Sequence, residues 1–424
     1  ISNNEFDTRV YISEVKINGE SLDSWKLFKT NDFLDLDGQY GPINDLIVLD
    51  EKLIAFQDKA TCNIAVNPTA LVTTTGDASS ALTLGTGEVL DNFKYISTEI
   101  GCKHQWSICK SPTAIYFFDM FKKKLMKLSF TQGIGSISDA KGMQSYFAKN
   151  LTGNIQDIDK PIHKSVTSSD PFGFVIRGYV GISSTFDYRY NELRMTFVDE
   201  DISSTVVYNE AIDAFTGFYS HTPGIYVNPG NKIITIDPSN AYQAYLEDVG
   251  EYGRFFDTLY PATVKLIVNE NKELTKTFDN LYWVTDTLAY DSAVDRFINI
   301  QGDTFESLRV YNDYQNTDSQ LLDPDSADPN IRRVERTWQL AIPRNRVMYT
   351  NQSFVPLDTT SNPSPDIFKN LNYSPNTQQV TTANKSFGER IKDKYIVIDL
   401  SYDNLNNYNL IFHNLRTRYR ISNR

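Results

Sequence analysis

The chain has 424 residues and a formal net charge of −12; 40% of it is hydrophobic and 13% aromatic, with 25 Tyr and 25 Phe. That length accommodates two or three domains with an ample core, and the aromatic content suits β-sheet surfaces and subunit interfaces better than helical bundles. The sequence holds no apolar run of about 18 residues, against a transmembrane helix, and no charged-then-apolar secretory leader.

From the amino terminus, residues 9–17 alternate enough to predict a strand ending at an Asn18-Gly19 turn. Residues 46–49 and 53–57 form the first clear hairpin, apolar flanks around a polar turn. Residues 67–88, rich in Thr, Ser, Gly and Ala, read as a long loop or polar extension reaching a neighbouring subunit. A second hairpin pairs 114–119 with 124–130. Ser136 to Asp139 then offers a helix cap, and Met143, Phe147 and Leu151 recur at helical spacing, a strip read as core rather than as a docking surface. Residues 172–182 and 194–198 are further strand candidates.

Between 205 and 246, five short apolar-aromatic runs are separated by four Pro-, Gly- or Asn-containing turns. Strands so closely spaced pair antiparallel, predicting one meander the size of a four-stranded propeller blade. The hairpins recur too irregularly for a strict repeat but fit propeller blades carrying insertions. After Gly253 the turn spacing loosens, with strands expected at 262–269, 273–278, 282–286, 297–301, 305–311, 334–342, 394–402 and 409–421. Residues 350–386 are Asn-, Ser-, Thr- and Pro-rich, a composition that buries too little surface to offset its ordering entropy. The fold class expected is mainly β: an antiparallel propeller-like body over 1–253, a second β domain over 254–424 with a long polar loop at 350–386, and few short helices.

Chemistry is sparse. Cys62, Cys102 and Cys109 are too few for a disulfide scaffold, and the Cys102–Cys109 spacing lacks a second ligand pair, so they read as buried thiols rather than zinc ligands. Metalloprotease, nucleophile-elbow and Walker motifs are absent, and Gly133 and Gly135 lack the third glycine of a dinucleotide turn. Asp323, Asp325 and Asp328 resemble half a calcium loop without its glycine and bidentate Glu. These patterns predict no catalytic residue, no cofactor and no resident metal.

Charge is more informative. Residues 199–330 hold 23 acidic and 7 basic side chains, whereas residues 331–424 hold 7 acidic and 14 basic. An acidic middle and a basic tail attract each other within a chain or between neighbours. Arg416, Arg418 and Arg420 alternate along one predicted strand, hence on one face, while Arg332, Arg333 and Arg336 flank the strand containing Trp338. Guanidinium groups so placed suit bidentate carboxylate pairing at a subunit interface, the reading preferred here over phosphate binding.

Several stretches together resemble the tail-tip nozzle proteins of short-tailed bacteriophages, in particular the muzzle-like tail proteins of crAss-like phages. They are 46–56 (LIVLDEKLIAF), 114–119 (AIYFFD), 137–143 (ISDAKGM), 215–220 (FTGFYS) with Thr222-Pro223, 276–280 (KTFDN), 333–338 (RVERTW), 342–344 (IPR) and 418–422 (RYRIS). The resemblance implies a non-enzymatic structural virion protein at the tail tip. Its propeller-like body would close the distal DNA-exit channel and take part in genome ejection, with an acidic lumen that repels the passing phosphates. The partners expected are a homo-oligomeric ring, six-fold or a multiple of it, neighbouring hub or ring proteins, transiently passing phage DNA, and an upstream fragment of the same protein, since the chain begins at Ile1 rather than Met. A receptor-binding tail protein and a propeller glycoside hydrolase are the other two readings. The second is disfavoured by the lack of Asp-box repeats and of an Arg cluster in the blade regions.

Overall fold

The computed structural model describes residues 6–13, 19, 26–30, 32–66, 69–73, 81–85, 90–151, 164–165, 175–176, 181–198, 203–230, 232–237, 243–247, 250–325, 329–346, 348–349, 382–383 and 388–422. It is mainly β and antiparallel, and its contacts divide into two compact units, residues 1–247 and 248–424. Most of the polar segment at 350–386 lies outside the described residues, except Thr382–Ala383, which pair with Met348–Tyr349. Asp328 and most of the stretch at 172–182 also lie outside them.

The first unit is organised around three four-stranded sheets, each an up-and-down meander. The first contains Ile43–Leu49, Lys52–Gln57, Thr61–Val66 and Leu90–Ser97. Its leading hairpin turns through Asp50 and Glu51, both at positive φ (46° and 63°), the backbone twist a two-residue hairpin loop needs. The second sheet contains Cys109–Lys110, Ile115–Asp119, Lys124–Ser129 and Gly133–Ser136. The third contains Gly181–Asp187, Glu192–Val198, Ser203–Asn209 and Ala214–Tyr219.

Their packing follows from the pleat. Alternate residues of a strand point to opposite faces, so a strand that is apolar throughout is buried on both sides. Ile115–Asp119 (IYFFD), apolar up to its last residue and buried throughout, is such a strand. Ile115 and Phe117 join Leu49, Ile54 and Phe56 of the first sheet in one core, with the Phe56 and Phe117 rings 4.8 Å apart. Tyr116 and Phe118 face the other way, into a core shared with Leu193, Met195 and Phe197 of the third sheet, with the Phe118 and Phe197 rings 5.0 Å apart. Each such aromatic contact adds about 0.5–1.5 kcal/mol beyond its burial. A one-turn helix, Ile137–Ala140, is capped by the Ser136 hydroxyl and followed by the helix Gln144–Asn150. Phe147 and Leu151 enter the second of these cores and Met143 packs against it, so this strip is core.

Two expectations are corrected here. The stretch at 205–246 is not one sheet. Its first two strands complete the third sheet, Ser203–Asn209 pairing back onto Glu192–Val198 and Ala214–Tyr219 onto Ser203–Asn209. Ile225–Val227, Ile234–Asp237 and Gln243–Leu246 form a separate three-stranded sheet. The two-residue period and the turns are the same in either arrangement; sequence spacing does not say which neighbour a strand joins. Nor is 67–88 simply a loop: Thr69–Thr73 and Ala81–Gly85 pair as a two-stranded ribbon, as β-branched Thr and Val favour.

The second unit is organised around two larger sheets that enclose one core. The strands Ala262–Val268, Ile396–Tyr402, Ser307–Tyr311 and Gln320–Leu321 make one sheet in that order. The other is built on a single 16-residue strand, Lys276–Asp291. On one side of it lies Asn409–Ile421 along nearly its full length. On its other side Lys392–Asp393, Thr337–Ala341 and Arg296–Asn299 follow one another, and Ile331–Val334 flanks Thr337–Ala341. The core between the sheets contains Phe278, Leu281, Trp283, Trp338 and Leu340 against Ile396, Ile398 and Leu400. The strands expected at 273–278 and 282–286 are thus one, because a bulge between Phe278 and Asn280 absorbs the polar pair that reads as a turn. The strand expected at 334–342 begins later, at Thr337, since Glu335 at φ 57° turns a hairpin.

Candidate interaction face

Of the six candidate arginines of the second unit, all but Arg333 are exposed at the sheet built on Lys276–Asp291. Along Asn409–Ile421, Leu415, Thr417 and Tyr419 are turned inward and Arg416, Arg418 and Arg420 are exposed. Directly opposed residues of neighbouring strands share a face. Arg416 opposes Tyr282, Tyr282 opposes Gln339, and Gln339 opposes Arg332. Four strands therefore present one row, Arg416–Tyr282–Gln339–Arg332, with Arg418 beside it against Asn280. Arg332, Arg416 and Arg418 make no ion pair with any described residue.

The other three arginines are engaged inside the chain. Arg420 donates twice to Asp279, at 2.8 and 3.1 Å, and Arg390 pairs with the same carboxylate. Asp279 is the extra residue of the bulge, which aims its otherwise buried side chain at these two cations. Arg336 pairs with Asp286, which also lies 2.9 Å from His413 Nε2 and accepts from Asn299 at 3.3 Å. Arg333 turns inward, its guanidinium 5.6 Å from the Trp338 ring and donating to the Gln301 carbonyl.

Burial pushes the carboxyls of Asp279 and Asp286 upward, but the donors around them outweigh it. Arg420 and Arg390 hold Asp279, and His413 and Arg336 hold Asp286, below the usual carboxylate range. Part of the attraction between acidic middle and basic tail is therefore satisfied within one chain. Asp279, Asp286, Arg390 and His413 escaped the sequence reading: Asp279 and His413 are bulge residues and Asp286 lies near one, which breaks strand parity, while Arg390 lies in the loop before Lys392–Asp393. The signal was present in the apolar spacing: Phe278 and Leu281, like Phe412 and Leu415, are both inward although three residues apart.

The first unit carries a different cluster. Arg194, buried on the third sheet, pairs with Asp187 at 2.8 Å and with Glu247, which follows the strand Gln243–Leu246. Asp187 also accepts from Arg189 at 3.0 Å, the Arg194 guanidinium lies 4.8 Å from the Tyr219 ring centroid, and His221 Nε2 is 3.5 Å from Glu247. Burial raises both carboxyls, yet Arg189 and Arg194 bring Asp187, and His221 and Arg194 bring Glu247, below their ordinary values. The cluster stitches two sheets together.

Cys62, Cys102 and Cys109 are free and buried, which pushes each thiol up to about 12. Among the described residues no group of three His, Cys, Asp or Glu side chains is placed to hold a metal ion, and no helix is long and apolar enough to cross a membrane.

What these features define is an antiparallel β scaffold with a row of exposed arginines on one sheet face. Comparison with known families gives it a place. Residues 1–239 match the crassvirus muzzle protein and residues 250–345 the crassvirus muzzle protein C-terminal domain, so the chain belongs to the crassvirus muzzle protein family. It is 26% identical over 343 residues to the muzzle protein of Bacteroides phage crAss001, a match covering 80% of this chain and 22% of that protein. The chain thus spans about a fifth of the relative's length. The C-terminal-domain match takes in Arg332, Arg333 and Arg336 and stops short of Arg416, Arg418 and Arg420.

Proposed function

We propose that the chain is a structural, non-enzymatic component of a crAss-like phage tail, at the tail tip, where it helps form and close the DNA-exit channel and takes part in genome ejection. The observation that carries this reading is the family match, which runs through both units. The architecture supports it: three consecutive four-stranded meanders stacked face to face are the packing unit of a propeller-like body. In this reading 1–253 is that propeller-like body and 254–424 the second β domain.

The unengaged row of Arg332, Arg416 and Arg418 is the surface through which copies of the chain meet, as a ring, or through which they meet neighbouring hub or ring proteins. Acidic surface from 199–330 lines the channel, where it keeps DNA from adhering. Glu247, Asp279 and Asp286 are not part of that lining charge, because each is neutralised by a paired cation.

Electron microscopy of the particle, or of the purified protein, tests the proposal. Density for this fold in a ring on the tail axis with an acidic bore is the expected result. A peripheral spike contradicts the channel role, and a strongly basic bore contradicts the acidic lining.

A further inference from the structure

The strand Asn409–Ile421 has a second feature that the contact face does not use. It runs for 13 residues and pairs along one edge only, with Lys276–Asp291. No described residue pairs with its other edge. Natural sheets rarely leave such an edge bare: they shorten it, interrupt it with Pro, or bend it away, because a row of unpaired N–H and C=O groups is a template for another strand. This strand is more than twice the usual length of about 5–6 residues and contains neither Pro nor Gly; its three arginines and the bulge at His413 deter indiscriminate pairing and restrict the edge to a partner that neutralises them.

Its side chains state what is admitted. On the solvent face stand Arg416, Arg418 and Arg420; on the core face Leu415, Thr417 and Tyr419. A second copy pairing antiparallel through the same edge in full overlap would set Arg416, Arg418 and Arg420 opposite Asn414, Phe412 and Leu410, where no carboxylate meets them. A second copy therefore leaves the arginines without partners across that edge. A strand of the complementary kind would place carboxylates opposite the arginines and apolar side chains opposite Leu415 and Tyr419, extending the core by one strand.

We infer that Asn409–Ile421 captures, by β-strand addition, an extended segment of a different polypeptide in which acidic residues alternate with apolar ones. The inference rests on reading this face as a contact surface and adds the geometry and chemistry of the partner.

The test uses the full chain and a synthetic, end-capped peptide of about nine residues alternating Glu with Val and Thr. Binding is read by fluorescence anisotropy and located by amide hydrogen exchange. Saturable binding with protection confined to Asn409–Ile421 is expected. Methylating alternate peptide nitrogens on the pairing edge, which leaves every charge in place, should weaken binding at least about tenfold. R416E/R418E should abolish it, and a peptide with Lys for Glu should restore it to that variant. Undiminished binding of the methylated peptide means ionic adsorption only and overturns the inference, as does protection elsewhere, an absence of binding, or protection of this strand by duplex DNA in place of the peptide. Self-association of the chain, followed separately, distinguishes the two failures: a contact face that assembles copies while refusing the peptide leaves the proposed function standing.

Discussion

The two units each hold a cluster of guanidinium and carboxylate groups, and the clusters differ in their access to water. Around Arg194 the central charges are sealed: Arg194, Asp187 and Glu247 are each at most 7% exposed, and only Arg189, at the rim, reaches solvent. Around Asp279 only the carboxylate is buried, while Arg420 and Arg390 lie largely in solvent. A sealed ion pair is costly to form and costlier to break, since removing one partner strands the other in a medium of low polarity. A half-open one can rehydrate. The first cluster is therefore a structural tie between two sheets, and the second leaves its sheet face able to exchange partners.

The largest expected effect breaks the sealed cluster. Arg194→Ala leaves Glu247 buried with only the His221 contact and Asp187 with only Arg189, and should cost about 3–5 kcal/mol, seen as a lower urea midpoint for the first unit. Arg194→Met with Asp187→Asn and Glu247→Gln removes the charges together and should recover much of the loss. Asp279→Ala removes the acceptor from two exposed arginines, which water then solvates; its cost should be about 1–2 kcal/mol. A loss for Asp279→Ala equal to that of Arg194→Ala would erase the distinction drawn here.

Acid sharpens the same contrast. Asp187, Glu247, Asp279 and Asp286 all have folded-state values below their unfolded ones. Their contribution is present above the unfolded pKa of about 4 and is lost as pH falls through the lower folded values. Hydrogen exchange of the two units across that range should show the first destabilised more steeply. Asp303 runs the other way. Burial raises its carboxyl, against hydrogen bonds from Tyr402 at 2.8 Å and from Thr287, and no cation offsets it. A raised carboxyl costs stability as pH rises through its folded value, so Asp303→Asn should raise the melting temperature at pH 7, by less than about 1 kcal/mol equivalent, and not at pH 3.

Local period was legible in the sequence, and pairing was not. The strand Asn409–Ile421 and the apolar run at 115–119 stand out in the residues alone, and the helical strip of Phe147 and Leu151 lies where its spacing puts it. The two sheets made from 205–246 were not legible, because a turn after Tyr219 has the same composition whether the chain continues its sheet or begins another. The clusters were not legible either. Arg194 and Glu247 are 53 residues apart and Asp279 and Arg420 are 141 apart. Only the tertiary pairing, and a bulge at Asp279 that resembles a turn, brings them together.

The smallest expected effect on stability belongs to the variants that matter most for function. Arg332, Arg416 and Arg418 are exposed and make no ion pair with described residues, so R332E/R416E/R418E should change stability by no more than about 0.5 kcal/mol. Sedimentation of the chain at low and high salt, beside this variant, tests the central claim most directly. The wild type should form salt-sensitive assemblies and the folded variant should sediment as a monomer; a wild type that stays monomeric at low salt, or a variant that assembles as well as it does, would contradict the account.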